Sequence, residues 1–171
     1  MLTSNLKTMG FFVVFAGALA SSAAFAAGTG CDAGKWPLST VQTKFGAALP
    51  AVASGDLLPA LGAPVTVNLA PQTDVAFAHA PARQGKANPA YAAIVKLGAE
   101  PAATYQVTAS SGAWVELAEN SDLVKPANYE RLKDCQGVNK SLRFRTSGGP
   151  LTVQISGSYD KTIKLEVLKV E

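Results

Sequence analysis

Hydrophobic and polar residues alternate through most of the second half of the chain, and the alternation predicts β-strands. Residues 104–110 (TYQVTAS) place Tyr105, Val107 and Ala109 on one face and threonine and glutamine side chains on the other. Successive side chains of a strand point to opposite faces, so such a run offers one apolar face to a core. Similar runs occur at 113–119, 140–147 and 150–170, the last interrupted by GSYD. Small residues and glycine between the runs predict consecutive hairpins.

Earlier alternating runs, at 64–71, 73–80 and 91–99, bring the predicted number of strands to about eight. Helical patterns are few. The stretch PLSTVQTKFGAAL predicts a short helix capped by Ser39 and ended near Gly46, and PANYERLKD predicts one helical turn. Many short strands separated by turn signals are typical of sandwiches and barrels. The sequence therefore predicts an all-β protein, a single jelly-roll-like β-sandwich of about eight antiparallel strands with little helix.

The N-terminal residues have the pattern of a secretory signal peptide. Lys7 precedes an apolar stretch from Met9 to Ala20, and small residues ending at Ala26 follow. The alternative is a membrane anchor, but this stretch is shorter than the roughly 20 residues that a spanning helix needs. We expect cleavage after Ala26, a periplasmic or secreted protein, and no membrane span after cleavage. Residues 27–64 are then an irregular segment packed on a sandwich domain formed by residues 65–171.

The chain has two cysteines, Cys31 and Cys135, and one histidine, His79. In an exported chain the two cysteines are expected to form a disulfide. A metal site would need three or four clustered ligands, and a nucleophilic cysteine would need a base, so His79 would have to serve alone. The disulfide is therefore the favoured prediction, and neither a metal nor a cofactor is expected.

Charge adds little to the prediction of function. The signal segment carries Lys7 alone, so removing it lowers 15 basic residues to 14 against 12 acidic ones, a net charge of +2. Nucleic-acid binding needs a dense basic patch or a known motif, and we do not expect it. Basic residues are nevertheless concentrated in the last third. Arg143 and Arg145 alternate with apolar residues, which turns both toward solvent, where they either bind an anionic partner or protect an edge strand.

The stretches TYQVTASSGAWVELAEN, CQGVNKSLRFR and GGPLTVQISGSYDKTIKLEVLKV resemble small exported proteins of Gram-negative bacteria, a group without a settled function. The final hairpin, with QISGS followed by IKLEV, is also similar to the jelly-roll domains of the bacterial pre-peptidase C-terminal type, which are appended to secreted peptidases. The resemblance implies a non-catalytic sandwich for surface or carbohydrate contact.

Trp114 is the most suggestive single residue for binding. Strict alternation turns it outward beside Glu116, and exposed aromatic residues on sandwich faces contact sugars or proteins. The alternative is that a bulge places Trp114 inside. Trp36, five residues after Cys31, is predicted to pack near the disulfide.

These patterns predict an exported, non-enzymatic binding or structural module that contacts a cell-envelope glycan or protein through Trp114, Arg143 and Arg145. The alternative is a jelly-roll enzyme, either a hydrolase or a cupin-like metal enzyme such as a dioxygenase. It is disfavoured because cupin-like metal sites use two or three histidines and because no G-x-S-x-G sequence is present.

Overall fold

The computed structural model describes residues 30–83 and 86–170. Two β-sheets form most of this part of the chain, together with one α-helix, α1 (Ser39–Gly46). The predicted signal peptide lies outside the described residues. Within them, no helix is long and apolar enough to cross a bilayer.

Eleven strands make up the two sheets, and their order gives each sheet its edges. Sheet A has six strands in the order β1-β2-β11-β5-β9-β8, and sheet B has five in the order β3-β4-β10-β6-β7. The strands are β1 (Ala51–Ala53), β2 (Val65–Asn68), β3 (Ala70–Pro71), β4 (Tyr91–Glu100), β5 (Thr104–Ala109), β6 (Trp114–Glu119), β7 (Asp122–Val124), β8 (Pro126–Arg131), β9 (Lys140–Arg145), β10 (Gly149–Ser158) and β11 (Thr162–Lys169). The predicted all-β class is confirmed, with eleven strands rather than about eight.

One strand pairing departs from the predicted antiparallel arrangement. β1 runs parallel to β2, with Val52 opposite Val67, whereas the other named strand pairs are antiparallel. β1 lies within residues 27–64, the segment predicted to be irregular, so part of this segment extends sheet A.

The alternation read from the sequence forms the core. Val107 and Leu165 of sheet A and Val153 and Ile155 of sheet B have no exposed surface and belong to one apolar cluster. Because each strand turns one face inward, the two sheets bury their apolar faces against each other and leave polar residues on the outside. The arrangement is sandwich-like, with the core between the sheets.

Two segments differ from their predicted local structure because long-range pairing outweighs local preference. Residues 126–131 form β8 instead of a helical turn, and Tyr129 lies opposite Leu142 of β9. An isolated helical turn is marginal in water, whereas the edge of β9 offers a ladder of hydrogen bonds. Residues 73–80 form no strand. The segment crosses the outer face of sheet B, where the backbone N–H of His79 donates to Gln154 Oε1 at 3.1 Å.

Helix α1 forms in the predicted stretch and ends at Gly46, but Ser39 is its first residue and not its cap. The Asp32 carboxylate accepts the backbone N–H groups of Leu38 and Ser39, each at 3.0 Å. These bonds, led by the one from Ser39, lower the pKa of Asp32 because they stabilise its charged form. A carboxylate seven residues before the helix therefore supplies the acceptor that a capping serine would have provided.

A second apolar cluster, here named the N-terminal cluster, covers part of the outer face of sheet A. The predicted disulfide is confirmed, since Cys31 and Cys135 are bonded, and Trp36 is 7% exposed in the same cluster. The Trp36 indole N–H donates to Ser141 Oγ at 3.1 Å, on the outward side of β9. The members of the cluster are Cys31, Trp36, Leu38, Val41, Phe45, Leu132, Cys135 and Val138.

Candidate functional site

The three residues predicted to form a ligand surface do not lie on one face. Trp114 is on the outer face of sheet B, because its neighbour Val115 belongs to the core. Arg143 and Arg145 are on the outer face of sheet A, because Phe144 between them is fully buried. The two sheets separate the tryptophan from the arginines.

Arg143 has internal contacts in this structure. Its guanidinium lies 4.4 Å from the centroid of the Trp36 ring, and its Nε donates to Gln106 Oε1 at 2.9 Å. Stacking on an aromatic ring and a hydrogen bond along the sheet both position the side chain over the N-terminal cluster. Arg145, opposite Thr104, is exposed.

Trp114 points outward, as the alternation predicts, but it is only partly exposed to solvent. The guanidinium of Arg83 lies 5.0 Å from the ring centroid, and the indole N–H donates to Glu116 Oε1 at 2.9 Å. The tryptophan is therefore part of a wall rather than a free stacking platform.

That wall belongs to a pocket of about 510 Å³ at one edge of the sandwich. A two-residue turn at Asn120 and Ser121, both with positive φ, reverses the chain from β6 into β7. β7 pairs with residues 117–119 only and ends at Val124. Residues 114–116 therefore keep β10 on one side, and on the other side no described strand continues beside them. The pocket opens at this gap. It is lined by Ala82, Trp114, Val115, Glu116, Leu123, Val124, Lys125, Pro126, Tyr129, Lys140 and Leu142.

Lys140 brings a positive charge into the pocket. It shares the inward face of β9 with Leu142 and Phe144, and it is 6% exposed. Its ammonium donates to the backbone carbonyl oxygens of Gly112, at 3.3 Å, and of Ala113. Burial, with a smaller effect from the positive charge of Arg131, lowers the pKa of Lys140 to about 8.

Glu116 brings a carboxylate to the other side of the pocket. The residue is 8% exposed, and its Oε1 accepts both the Trp114 indole N–H and the backbone N–H of Ala82, the latter at 3.1 Å. Its Oε2 is buried and has no hydrogen-bond partner among the described residues. One oxygen of this carboxylate thus fixes the tryptophan ring and the loop at Ala82, and the other is enclosed.

The pocket was missed by sequence reasoning, although one signal for it was present. The alternation that places Leu142 and Phe144 inward also places Lys140 inward, and a lysine on a core face needs an explanation because lysine is almost never fully buried unless paired. The distance in sequence between Glu116 and Lys140 gave no indication that both would line one pocket.

His79 takes no part in the pocket lining. The residue is exposed, and its backbone carbonyl accepts the Gln154 side-chain N–H at 3.0 Å. Within residues 30–83 and 86–170, no group of three or more His, Cys, Asp or Glu residues could hold a metal ion.

Comparison of the chain with protein-family models, with curated proteins and with solved structures finds no match. The candidate site therefore rests on the pocket geometry of this chain.

Proposed function

We propose that the protein is an exported, non-enzymatic β-sandwich of the jelly-roll type that binds a cell-envelope component in the edge pocket. The observation that carries the proposal is the pocket itself, where Trp114, Tyr129 and Leu142 form apolar walls around two charged groups, Lys140 and Glu116. Ligand sites are typically concave, mostly apolar and 300 to 1,000 Å³ in volume, with a few polar groups that orient the ligand.

Two features support the proposed export. Residues 1–26 have the order of basic, apolar and small residues that typifies a signal peptide. The Cys31–Cys135 disulfide is of the kind that persists in oxidising compartments such as the periplasm.

The jelly-roll assignment is supported by how often the chain changes sheets. β4 lies in sheet B, β5 in sheet A and β6 in sheet B, and β9, β10 and β11 alternate in the same way. Repeated crossing between two antiparallel sheets is typical of Greek-key and jelly-roll sandwiches.

The geometry favours insertion of an apolar group over contact with a broad flat surface. Trp114 lines the pocket with Arg83 against its ring, whereas Arg143 and Arg145 lie on the other sheet. Binding of a glycan or protein across Trp114, Arg143 and Arg145 together stays a prediction. A cell-envelope molecule that inserts one apolar portion between Trp114 and Tyr129 fits the pocket better.

A fluorescence titration tests pocket binding. In a Trp36→Phe variant Trp114 is the single tryptophan, and the probe is N-phenyl-1-naphthylamine, which is neutral and apolar. We expect a saturable rise in probe emission, with quenching of Trp114 by energy transfer. Adding the Val124→Glu substitution to this variant places a charge in the apolar wall. We expect it to weaken binding of the probe at least tenfold.

Leu57→Glu provides the matched control, because Leu57 is 60% exposed and outside the pocket lining. The same probe affinity in the Val124→Glu and Leu57→Glu proteins, both shown to be folded by urea unfolding, would overturn the proposed site. Absence of saturable binding in the Trp36→Phe protein would overturn it as well.

A further inference from the structure

The charges that line the edge pocket are unevenly distributed. Lys140 and Lys125 line it, and Arg131 lies opposite Lys140 in the register of β8 and β9. Glu116 is the single acidic residue of the lining. The charged side chains of the lining near β8 and β9 are therefore cationic.

Lys140 is not neutralised by a carboxylate within the described residues. The one salt bridge found there joins Lys44 to Glu166, on the outer face of sheet A. An ammonium has three N–H donors, and that of Lys140 uses backbone carbonyl oxygens as its acceptors. A buried charge without a counterion is costly, so an anion supplied by a ligand would be stabilised here.

Glu116 does not take the place of that anion, nor does it expose its charge to the ligand. Its Oε1 is occupied by Trp114 and Ala82, and its Oε2 is covered. The carboxylate is thus directed into the wall that holds the tryptophan ring. A ligand can contact the apolar walls without meeting a bare carboxylate oxygen.

We propose that the ligand is an anionic amphiphile, whose carboxylate or similar head pairs with the Lys140 ammonium while its apolar chain or ring packs against Trp114, Tyr129 and Leu142. This inference rests on the proposed function, because it assigns a chemical class to the ligand of the same pocket. The apolar portion supplies most of the binding free energy by burial, and the ion pair with Lys140 selects the head group.

Displacement of N-phenyl-1-naphthylamine by three ten-carbon competitors tests the head group directly. Decanoate, decanol and decylammonium share one chain and differ in charge. We expect decanoate to displace the probe at a concentration at least tenfold lower than decanol, with decylammonium the weakest. In Lys140→Met the advantage of decanoate over decanol should disappear, while decanol itself competes as before.

Lys164→Met is the matched control, because the Lys164 ammonium also donates to a backbone carbonyl oxygen, that of Phe45, but outside this pocket. It should keep the preference for decanoate. If Lys140→Met does not fold, Lys140→Arg, which retains the charge, should keep the preference, and Lys140→Gln should lose it.

The outcomes separate this inference from the proposed function. Equal displacement by decanoate and decanol, or preference for decylammonium, overturns the anionic class while leaving pocket binding in place. Failure of the probe itself to bind overturns the proposed function instead. Retention of the decanoate preference in both Lys140→Met and Lys140→Gln would also overturn the role of Lys140.

Discussion

Two lysines of this protein have opposite environments. On the outer face of sheet A, the Lys44 ammonium lies 2.5 Å from Glu166 Oε1 and also donates to the carbonyl oxygen of Gly62. In the edge pocket, the Lys140 ammonium contacts the backbone carbonyl oxygens of Gly112 and Ala113. The first charge is compensated by a carboxylate of the protein, whereas the second has no carboxylate partner among the described residues.

The surroundings of the two lysines also differ, because the outer face of sheet A is covered and hydrogen-bonded whereas the edge pocket is open. Over sheet A, the Trp36 indole N–H and the Thr108 hydroxyl both bond to Ser141, and the N-terminal cluster covers them. At the edge pocket, β7 stops after three residues and Glu116 keeps one unpaired oxygen. The comparison suggests that the covered face serves stability and the open edge serves binding. Four predictions test this division.

Replacing both cysteines by serine should have the largest effect. The disulfide joins residues 104 positions apart, and closing a loop of that size stabilises a protein by about 4.7 kcal/mol in the chain-entropy model. We expect the free energy of unfolding, measured in urea at pH 7, to fall by about that amount. The folded variant should bind N-phenyl-1-naphthylamine with unchanged affinity. A loss of probe affinity without a loss of stability would reverse the assignment of the two regions.

Trp36→Ala should have the second largest effect. We expect it to lower the free energy of unfolding by about 3 kcal/mol, because a large buried ring is removed from the N-terminal cluster. The Arg143 guanidinium also loses the ring over which it lies. Trp36→Phe keeps most of the apolar volume and should cost less than half as much. Thermal and urea unfolding measure both. Equal losses in the two variants would show that the bond to Ser141, rather than packing, stabilises this region.

Lys44→Met should lower the free energy of unfolding by about 2 kcal/mol, since it leaves the Glu166 side chain, 2% exposed, without its counterion. Glu166→Gln should cost less, because the Lys44 side chain is 39% exposed and water can solvate it. Lys169→Met, at an exposed position of the same sheet, serves as the control. The opposite ranking of Lys44→Met and Glu166→Gln would contradict the idea that burial of the carboxylate dominates.

Lys140→Met should show the smallest change, visible as a pH dependence. The folded protein releases the Lys140 proton near pH 8, whereas the unfolded chain holds it to its ordinary pKa of 10.5. Between these values the unfolded state binds more protons, so this lysine makes the wild-type protein more stable as pH rises. We expect the stability of the wild type relative to Lys140→Met to increase by about 1 kcal/mol between pH 7 and pH 9.

Urea unfolding at several pH values measures this difference, and groups common to both proteins cancel. Lys164→Met should retain the wild-type slope. A wild-type protein that loses stability relative to Lys140→Met over this range would show that the buried ammonium is compensated in the folded state after all.

Prediction from sequence succeeded where local pattern and chemistry agree. The strands around Val107, Leu142 and Val153 follow their alternation, and the compartment argument for the cysteines led to the correct pairing. It failed for residues 126–131, whose helical preference yields to pairing with β9, and for the cap of α1, which comes from Asp32. Each failure depends on a partner that is distant in sequence or lies outside the local motif.

The amino-acid sequence by itself determined which side of each alternating strand enters the core, because a period of two fixes the faces wherever the strands pair. The same parity indicates that Trp114 points outward and Lys140 inward, and the structure decided between this and the alternative that a bulge places Trp114 inside. Only the tertiary structure decided that β7 would stop short, that β8 would pair beside β9, and that Glu116 and Lys140 would line one pocket. These outcomes depend on which strands become neighbours, and that is settled by burial and hydrogen bonding summed over the whole sandwich rather than by any single stretch.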